Sequence, residues 1–577
     1  MKIKNNVLKS GVILMMGATL GSCSDFLELE PLNEIVLERF WNEESDIENI
    51  VAGCYSALQS GQVIDRMMAW GEYRSDNIIG GTNVQSNASL VNIFKENLNA
   101  SNGYTTWGAF YDIINRCNTV IYYAPSVADR DPNYTQSELQ ATIAEVSAIR
   151  DLCYFYLIRT FRDVPYSTEA FQDDTQRMDL PATPFNAVLD SLILDLERVE
   201  PFAVRKYPET KPLYQFGRIT QDAIHAMLCD MYLWKQDYQN SVKYADMLIE
   251  AKLKEYDYRQ MNALGSSSVE KLIDGFPLIS DAPTSGNEYG QAYEAIFGKG
   301  TSTESIFELI FTNDRSMPSN GSISGAYGNE TTFPGVVKAA DFIGSDVTDE
   351  IYAVYMDKYD TRYYENLQKR GSDYGICKYA VQRVTIDPTK SDAEKTRYGS
   401  LWPRDYCYSN WIIYRLSDVM LMKAEALVQM VDGNDSTEVG KARNDTLLRQ
   451  AYTIVNAINK RSNCATNVKD LDYNKYSLKS DMYDLVMQER QRELMFEGKR
   501  WFDLVRRSRR DGNTNYLVTQ VSRKGSGDGS GALQSKLARM DAIYWPYNYD
   551  ELKVNTNLVQ NPAFGSGQNS SYENSTK

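Results

Sequence analysis

The sequence predicts a mostly α-helical fold with one loop-rich insertion that contains small β-hairpins. Two observations support this: apolar residues recur at helical spacing on both sides of the middle of the chain, whereas Gly, Ser, Asn and Tyr dominate residues 261–410. The 577 residues are 43% hydrophobic and 24% charged, which is ordinary for a globular protein with a large core. Wholesale disorder, a collagen-like repeat and a polytopic membrane protein are therefore disfavoured.

Helical periodicity marks most of the chain before residue 260. It begins at Glu43 and continues over residues 107–124, 138–161, 187–199, 219–234 and 238–251. The last two segments are joined only by Lys235, Gln236 and Asp237. Two antiparallel helices with so short a turn are typical of a tetratricopeptide (TPR) unit, although the full repeat signature is missing. We therefore expect TPR-like helical pairs and not a regular array.

The rest of the chain divides by composition. Residues 305–311 are strand-like within the polar insertion, and helices are predicted over residues 411–431, 446–460 and 482–507. Gly498 lies on the apolar stripe of the last helix, where a glycine allows another backbone to approach closely. Residues 524–531 are expected to form a flexible loop. The predicted organisation is a leader (1–22), an N-terminal helical region (23–260), the insertion (261–410), a C-terminal helical region (411–565) and a disordered tail (566–577).

Charge and histidine content narrow the possible chemistry. Acids outnumber bases, 77 to 61, so the formal charge of −16 disfavours nucleic acid as a partner. His225 is the only histidine, and it lies in an apolar helical run that predicts a core or boundary position. Catalytic sites and metal sites built on histidine are therefore disfavoured, whereas a glycosidase needs only two carboxylates.

The N-terminus resembles that of a bacterial lipoprotein. Lys2 and Lys4 precede an apolar run over residues 11–20, which is too short to span a bilayer. The run ends in Leu20-Gly21-Ser22-Cys23, a lipobox-like sequence that predicts cleavage before Cys23 and its acylation. The alternative is a plain secretion signal with an incidental cysteine. The other seven cysteines show no metal-ligand spacing, so we expect no zinc, no cofactor and no essential disulfide.

Regularly spaced acids near the C-terminus allow two interpretations. Glu489, Glu493 and Glu497 repeat every four residues on one helical face, with Arg492 and Arg500 nearby. They could be paired catalytic carboxylates. We favour an ion-pair network at a helix junction, because acids beside arginines stay ionised and cannot donate protons.

Two other charged motifs are interpreted in the same structural way. Arg415, Asp418 and Glu425 are expected to form ion pairs. Residues 432–435 (Asp-Gly-Asn-Asp) lack the glycine and the distal glutamate of a calcium loop, so we expect a turn there and no metal.

Several motifs in order resemble the SusD/RagB family of surface lipoproteins of Bacteroidetes, over nearly the whole chain after Cys23. They comprise residues 23–31, 148–157, 161–166, 415–426, 456–461, 489–504 and 545–562. Arg162 and Asp151 stand where the family usually has Gly and Ala, and these departures concern packing more than function. The resemblance implies a SusD-like fold and a non-catalytic role. Family members lie over a SusC-like TonB-dependent transporter in the outer membrane, anchored by lipid, and capture an oligosaccharide or polysaccharide for uptake.

Aromatic and polar side chains in the predicted loops are the candidate ligand contacts, because sugars bind aromatic faces together with amide, carboxylate and guanidinium groups. The candidates are Trp70, Tyr73, Arg74, Asp76, Asn77, Asn287, Tyr289, Tyr293, Tyr327, Asn329, Trp402 and Tyr406. Two other functions stay open: the same lid role with peptide cargo, as in the RagB branch, and a surface glycosidase that works through two acids.

Overall fold

The computed structural model describes residues 41–173, 175–262, 269–281, 286–344, 354–355, 357–525 and 528–565. The predicted leader, Cys23 and the predicted tail at 566–577 lie outside the described residues.

The N-terminal half is helical, as predicted. Its α-helices are α1 (Glu44–Leu58), α2 (Gly61–Met68), α3 (Ala88–Phe94), α4 (Gly108–Ala128), α5 (Gln136–Phe161), α6 (Phe185–Val199), α7 (Tyr214–Gly217), α8 (Gln221–Lys235) and α9 (Tyr238–Asn262). A π-helical turn, Ala69–Tyr73, follows α2 directly. Helix α5 begins at a capping box in which Thr135 and Glu138 each bind the other's backbone N–H. Its second half is buried on all sides, so α5 is the central helix of this region.

Helices α8 and α9 form the predicted antiparallel pair. Thr220 caps the start of α8, and Gln236 has a left-handed backbone (φ 64°) that ends it and reverses the chain. The pair α4–α5 packs in the same manner, as do the later helices Leu416–Gln429 and Glu438–Arg461. The TPR-like pairs are thus confirmed, and α9 extends to Asn262, beyond the predicted end at residue 251.

The insertion contains the expected hairpins, and it is also tied to both flanking regions. Its helices are α10 (Gln291–Tyr293), α11 (Gly321–Ala326) and α12 (Thr361–Asn366). The strands of the chain are β1 (Ile78–Gly80), β2 (Val164–Pro165), β3 (Ala182–Thr183), β4 (Glu270–Ile273), β5 (Phe276–Ile279), β6 (Ser305–Leu309), β7 (Val337–Ala339), β8 (Leu367–Arg370), β9 (Asp373–Ile376), β10 (Val384–Ile386), β11 (Thr396–Tyr398) and β12 (Trp411–Arg415). Hairpins form from β4–β5, β8–β9 and β10–β11, whereas β7 pairs with β1 and β6 pairs with β12. The insertion therefore shares antiparallel ladders with the regions on either side of it.

The C-terminal region begins with a strand, and the prediction of one helix over 411–431 is wrong. Strand β12 is fully buried and pairs with β6, and only then does the chain turn into a helix. The β-branched and aromatic residues of β12 suit a pleated ladder, which an apolar helical run resembles in sequence. The helices are α13 (Leu416–Gln429), α14 (Glu438–Arg461), α15 (Lys479–Leu494), α16 (Arg500–Asp511), α17 (Asn515–Ser522), α18 (Asp528–Leu537) and α19 (Tyr549–Val554).

The single helix predicted over 482–507 is two helices. The chain breaks between α15 and α16, where Phe496 and Gly498 take left-handed backbones with φ near 70°. The carboxylate of Glu72 accepts the backbone N–H groups of Phe496, Lys499 and Arg500, and so caps the start of α16. A buried partner distant in sequence therefore stabilises this break.

The expected flexible loop over 524–531 is also shorter than predicted, because α18 begins at Asp528. Two leucines of α18, Leu533 and Leu537, are buried and hold the helix against the protein. Among the helices that the structure describes, none combines the length and apolarity required to cross a membrane.

Candidate functional site

A solvent-open cleft of about 420 Å³ lies between the N-terminal region and the insertion. Asp65 on α2, Tyr73, Asn87 before α3 and Tyr104 line it from the N-terminal region. Ser322 on α11 belongs to the opposite side, which continues to the start of β7. The β1–β7 ladder holds the two sides at a fixed separation.

Two tyrosines form the aromatic part of the cleft. The rings of Tyr73 and Tyr104 meet edge to face, with 6.5 Å between their centroids. The Trp70 indole donates a 2.8 Å hydrogen bond to the Tyr104 carbonyl and fixes this residue on the cleft wall. Tyr104 keeps a partly exposed side chain, and burial raises the pKa of its phenol to about 12, so the hydroxyl is a hydrogen-bond donor at neutral pH.

Asp65 and Asn87 supply the polar part of the cleft. Partial burial raises the pKa of Asp65, and a hydrogen bond from Ser322 and the charge of Arg66 oppose that rise. Arg66 itself donates to the carbonyls of Gln62 and Thr106. Asn87 caps α3 through a 3.1 Å bond from the Leu90 amide. The cleft thus combines an aromatic surface with carboxylate, amide and hydroxyl groups, a set that can bind a hydroxyl-rich molecule.

Of the N-terminal candidates, only Tyr73 lines this cleft, and all five are buried. Arg74 lies over the Trp501 ring and donates to Glu96. Asp76 forms a buried ion pair with Arg500 at 2.8 Å. The Asn77 amide donates to Glu72. In this conformation the C-terminal helices cover Arg74, Asp76 and Asn77. Ligand contact at the N-terminal candidates stays a prediction.

Five candidates of the insertion are also core residues. The hydroxyls and indole N–H of four of them donate to backbone carbonyls: Tyr293 to Cys377 and Val381, Tyr327 to Phe496, Trp402 to Tyr379, and Tyr406 to Thr312. The Asn329 amide likewise bonds to Ser324 and Thr331 within its own turn. In this conformation their side chains stabilise the insertion and are not offered to solvent.

Asn287 and Tyr289 are the two candidates with accessible side chains. Asn287 is exposed and Tyr289 is half-buried, beside the β10–β11 hairpin to which the Tyr289 backbone is bonded. Neither residue lines the cleft. Ligand contact at these two positions stays a prediction.

Three polar residues of the cleft are not among the candidates predicted from the sequence. Asp65 and Asn87 are short polar side chains beside apolar helical residues, and Ser322 is one serine in a Gly/Ser-rich stretch. The one signal for them in the sequence is the polar, Gly/Ser-rich composition of residues 319–325 within the insertion. Their proximity depends on β1 pairing with β7, more than 250 residues away.

The predicted ion-pair network is formed by Glu489 and Glu493 on α15 and by Glu497 just after it. Glu493 lies among three buried guanidinium groups, with Arg415 at 2.7 Å, Arg362 at 3.0 Å, and Arg461. Burial alone would raise the pKa of Glu493, but the three cations outweigh it and hold the pKa well below its usual value. Glu497 pairs in the same way with Arg415 and Lys378. These carboxylates stay ionised, which confirms their structural interpretation.

The remaining charged motif and the histidine are also structural. Asp418 pairs with Arg490 and Lys499, and Glu425 pairs with Arg506. His225 is buried on α8, with Nε2 2.8 Å from a carboxylate oxygen of Glu200. The seven cysteines of the described chain are buried and unbridged.

Comparison with known proteins shows similarity to the SusD family. The model of the SusD family matches residues 293–564. SusD-like protein P38 of Formosa agariphila is 27% identical, and the alignment covers 97% of this chain and 99% of that protein. This chain is therefore similar to SusD-like proteins along nearly its whole length. A second SusD-like protein of the same organism, P2, is 24% identical over 86% of this chain and 89% of its own length.

Solved structures show the SusD fold over most of the chain. A SusD homolog from Bacteroides thetaiotaomicron superposes with a TM-score of 0.65 at 18% identity, covering 92% of this chain and 98% of the homolog. A protein described as a laminarin-binding SusD-like protein superposes with a TM-score of 0.60 at 18% identity, covering 91% of this chain and all of its own. The mostly helical, SusD-like fold predicted from the sequence is thus confirmed.

Proposed function

We propose that this protein is a non-catalytic surface lipoprotein that captures oligosaccharides or polysaccharide in the cleft between α2 and α11. The observation that carries the proposal is the convergence of the Tyr73–Tyr104 pair with Asp65, Asn87 and Ser322 in one open cleft. The match to the SusD family model and the structural neighbour described as laminarin-binding support a carbohydrate ligand.

The chemistry of the cleft suits a sugar. The weakly polar C–H face of a pyranose packs on an aromatic ring, while its hydroxyls need donors and acceptors at the rim. Tyr104 supplies the accessible ring, and Asp65 and Ser322 supply the polar groups on facing sides. Asp65 is the one carboxylate on the described lining of the cleft, whereas glycoside hydrolysis requires two acids flanking the scissile bond.

The role that we propose at the cell surface rests on the resemblance to the SusD/RagB family. Acylated Cys23 anchors the protein in the outer membrane, and the bound glycan passes to a SusC-like TonB-dependent transporter beneath it. The TPR-like pairs face that transporter, and the insertion faces the ligand. Asn287 and Tyr289 form an outer contact for a long chain, since they are the accessible members of the predicted set.

Native affinity electrophoresis tests the proposal. The protein lacking the leader and Cys23 is run through gels that contain plant or host polysaccharides, and reducing ends are assayed in parallel. We expect retardation by one polysaccharide class without release of sugar. If mobility is unchanged in every gel and the protein binds a peptide mixture, the cargo is peptide and not glycan. New reducing ends would overturn the non-catalytic role.

A further inference from the structure

A second cleft, of about 400 Å³, lies on the helical side of the protein and shares no described lining residue with the glycan cleft. We call it the apolar cleft and define it by Trp107, Tyr111, Phe171, Met178, Leu180 and Val554. Its rim exposes apolar side chains: Met178 is 56% exposed and Val554 is 82% exposed. An accessible apolar surface of this kind is typical of a docking site.

The polar groups of this cleft are engaged within its own wall. The Tyr111 hydroxyl donates to the Pro165 carbonyl at 2.7 Å. The Asn115 amide bonds to both the N–H and the carbonyl of Phe171. The Asn555 amide donates to the Leu180 carbonyl at 2.7 Å. Since these groups are satisfied, the cleft offers mainly ring faces and methyl groups, which favours an apolar occupant over a sugar.

The described structure begins against α4, the helix that carries Tyr111 of the cleft wall. Trp41, the first described residue, stacks on Tyr123 of α4, with ring centroids 4.9 Å apart and planes 11° from parallel. The Tyr123 hydroxyl donates to Gln172, the neighbour of Phe171 in the cleft wall. Tyr111 lies twelve residues earlier on the same helix, so about 18 Å of α4 separates Trp41 from the cleft.

The preceding segment has the right composition and reach. Phe26, Leu27, Leu29 and Leu32 are apolar and alternate with acids in the sequence Asp-Phe-Leu-Glu-Leu-Glu-Pro-Leu. From Leu32 to Trp41 the chain makes nine Cα–Cα steps, which can span about 30 Å when extended, well beyond the 18 Å needed. The acids of residues 25–32 can remain in water while the apolar side chains of the same segment are buried.

We propose that residues 26–32 dock in the apolar cleft through Phe26, Leu27 and Leu29. Docking would hold the N-terminal end of the mature chain at one side of the protein, close to Gly108 and α19. Without docking, a flexible linker from residue 23 to residue 41 would have an r.m.s. end-to-end distance of about 20–25 Å. Docking therefore restricts the orientation of the protein on its anchor. The inference does not require glycan binding, so its failure is distinguishable from failure of the proposed function.

Disulfide trapping in the full chain tests this docking. Phe26, Leu27, Leu29 or Leu32 is replaced by Cys, one at a time, together with Val554→Cys. The matched control uses Val439→Cys on α14, which is 81% exposed and does not line the cleft. The described native cysteines are buried, and Cys23 is replaced by Ser in every variant, so the introduced pairs react selectively. We expect at least one pair with Val554→Cys to form at least tenfold faster than its Val439→Cys counterpart. Equal rates for all four pairs would overturn the proposal.

Limited proteolysis gives a second test that needs no cysteine. Val554→Asp places a charge on the rim of the cleft, and Val439→Asp places one on an equally exposed site. We expect cleavage within residues 24–40 to accelerate at least fivefold with Val554→Asp and to stay unchanged with Val439→Asp. Equal cleavage in both variants would contradict the docking. A wild-type dimer that dissociates with Val554→Asp but not with Val439→Asp would also contradict it, because a second copy of the chain would then occupy the cleft.

Discussion

Gly71 and Gly498 meet backbone to backbone, although more than 400 residues separate them. A Cβ built on Gly71 would lie 1.8 Å from the carbonyl oxygen of Gly498, closer than any side chain can approach. Glu72, the next residue, caps α16 from the same π-helical turn. This contact joins the wall of the glycan cleft to the junction of α15 and α16, and it explains why the predicted long helix is broken.

Gly71→Ala should destabilise the protein by about 3 kcal/mol, because the added methyl group forces two backbones apart. Ala is the better helix former, so intrinsic helix propensity would predict the opposite sign. Chemical denaturation measures the difference. Gly433→Ala is the control, since a Cβ there meets nothing within 4 Å. An unchanged unfolding midpoint for Gly71→Ala would disprove the close contact.

Glu493→Gln should cost about 3 kcal/mol of unfolding free energy, because it leaves three buried guanidinium groups without their shared carboxylate. The amide has nearly the same shape, so the loss reports charge and not volume. Thermal unfolding measures it. Glu438→Gln removes an exposed carboxylate that pairs with Lys441, and its midpoint should not move. Equal midpoints for both variants would contradict a cooperative buried network.

Glu72 should make stability fall as the pH rises from about 4.5 to about 7. Burial raises the pKa of its carboxyl from 4.5 to about 7, against hydrogen bonds from Asn77 and the backbone of Phe496, Arg500 and Lys499. The folded protein therefore binds more protons than the unfolded chain in this window, so stability decreases until the folded group is ionised. The total change from this group is about 3 kcal/mol.

Comparison with Glu72→Gln isolates that contribution, because the amide cannot titrate. The stability of the variant relative to the wild type should increase across pH 4.5–7 and level off above it. Unfolding free energies at half-unit pH steps measure the difference. A difference that does not vary with pH would show that Glu72 has an ordinary pKa.

Tyr104→Ala should weaken glycan retention at least tenfold, since it removes the accessible ring of the cleft. The matched control is Tyr258→Ala on α9, which deletes a tyrosine that is 59% exposed and does not line the cleft. Affinity electrophoresis compares the two variants at equal concentration, and circular dichroism checks that both are folded. Equal retention of both would place the ligand outside this cleft.

The helices of the N-terminal half could be predicted because each buries a stripe of its own local sequence. In α1, for example, Ile47, Val51, Cys54 and Leu58 are buried at helical spacing. Strand β12 could not be predicted in this way. Its residues satisfy an apolar helical pattern equally well, and only the ladder with β6, about 100 residues earlier, makes them a strand.

The site was harder to predict than the fold, because residue type does not specify which side of a chain is buried. Asp76 and Tyr327 have the chemistry of sugar ligands, yet Arg500 and the Phe496 carbonyl bind them inside the protein. Asp65 and Ser322 carry no motif and meet only across the cleft. No local pattern distinguishes the first pair from the second.

The sequence by itself determined the helical class, the TPR-like pair, the ion-pair interpretation of the α15 acids and the family resemblance. These properties follow from periodicity and from charges close together in the chain. Only the tertiary structure decided where helices break, which candidates are buried and which residues form the two clefts. The physical reason is that burial and hydrogen-bond satisfaction depend on partners hundreds of residues away, as Gly71 with Gly498 demonstrates.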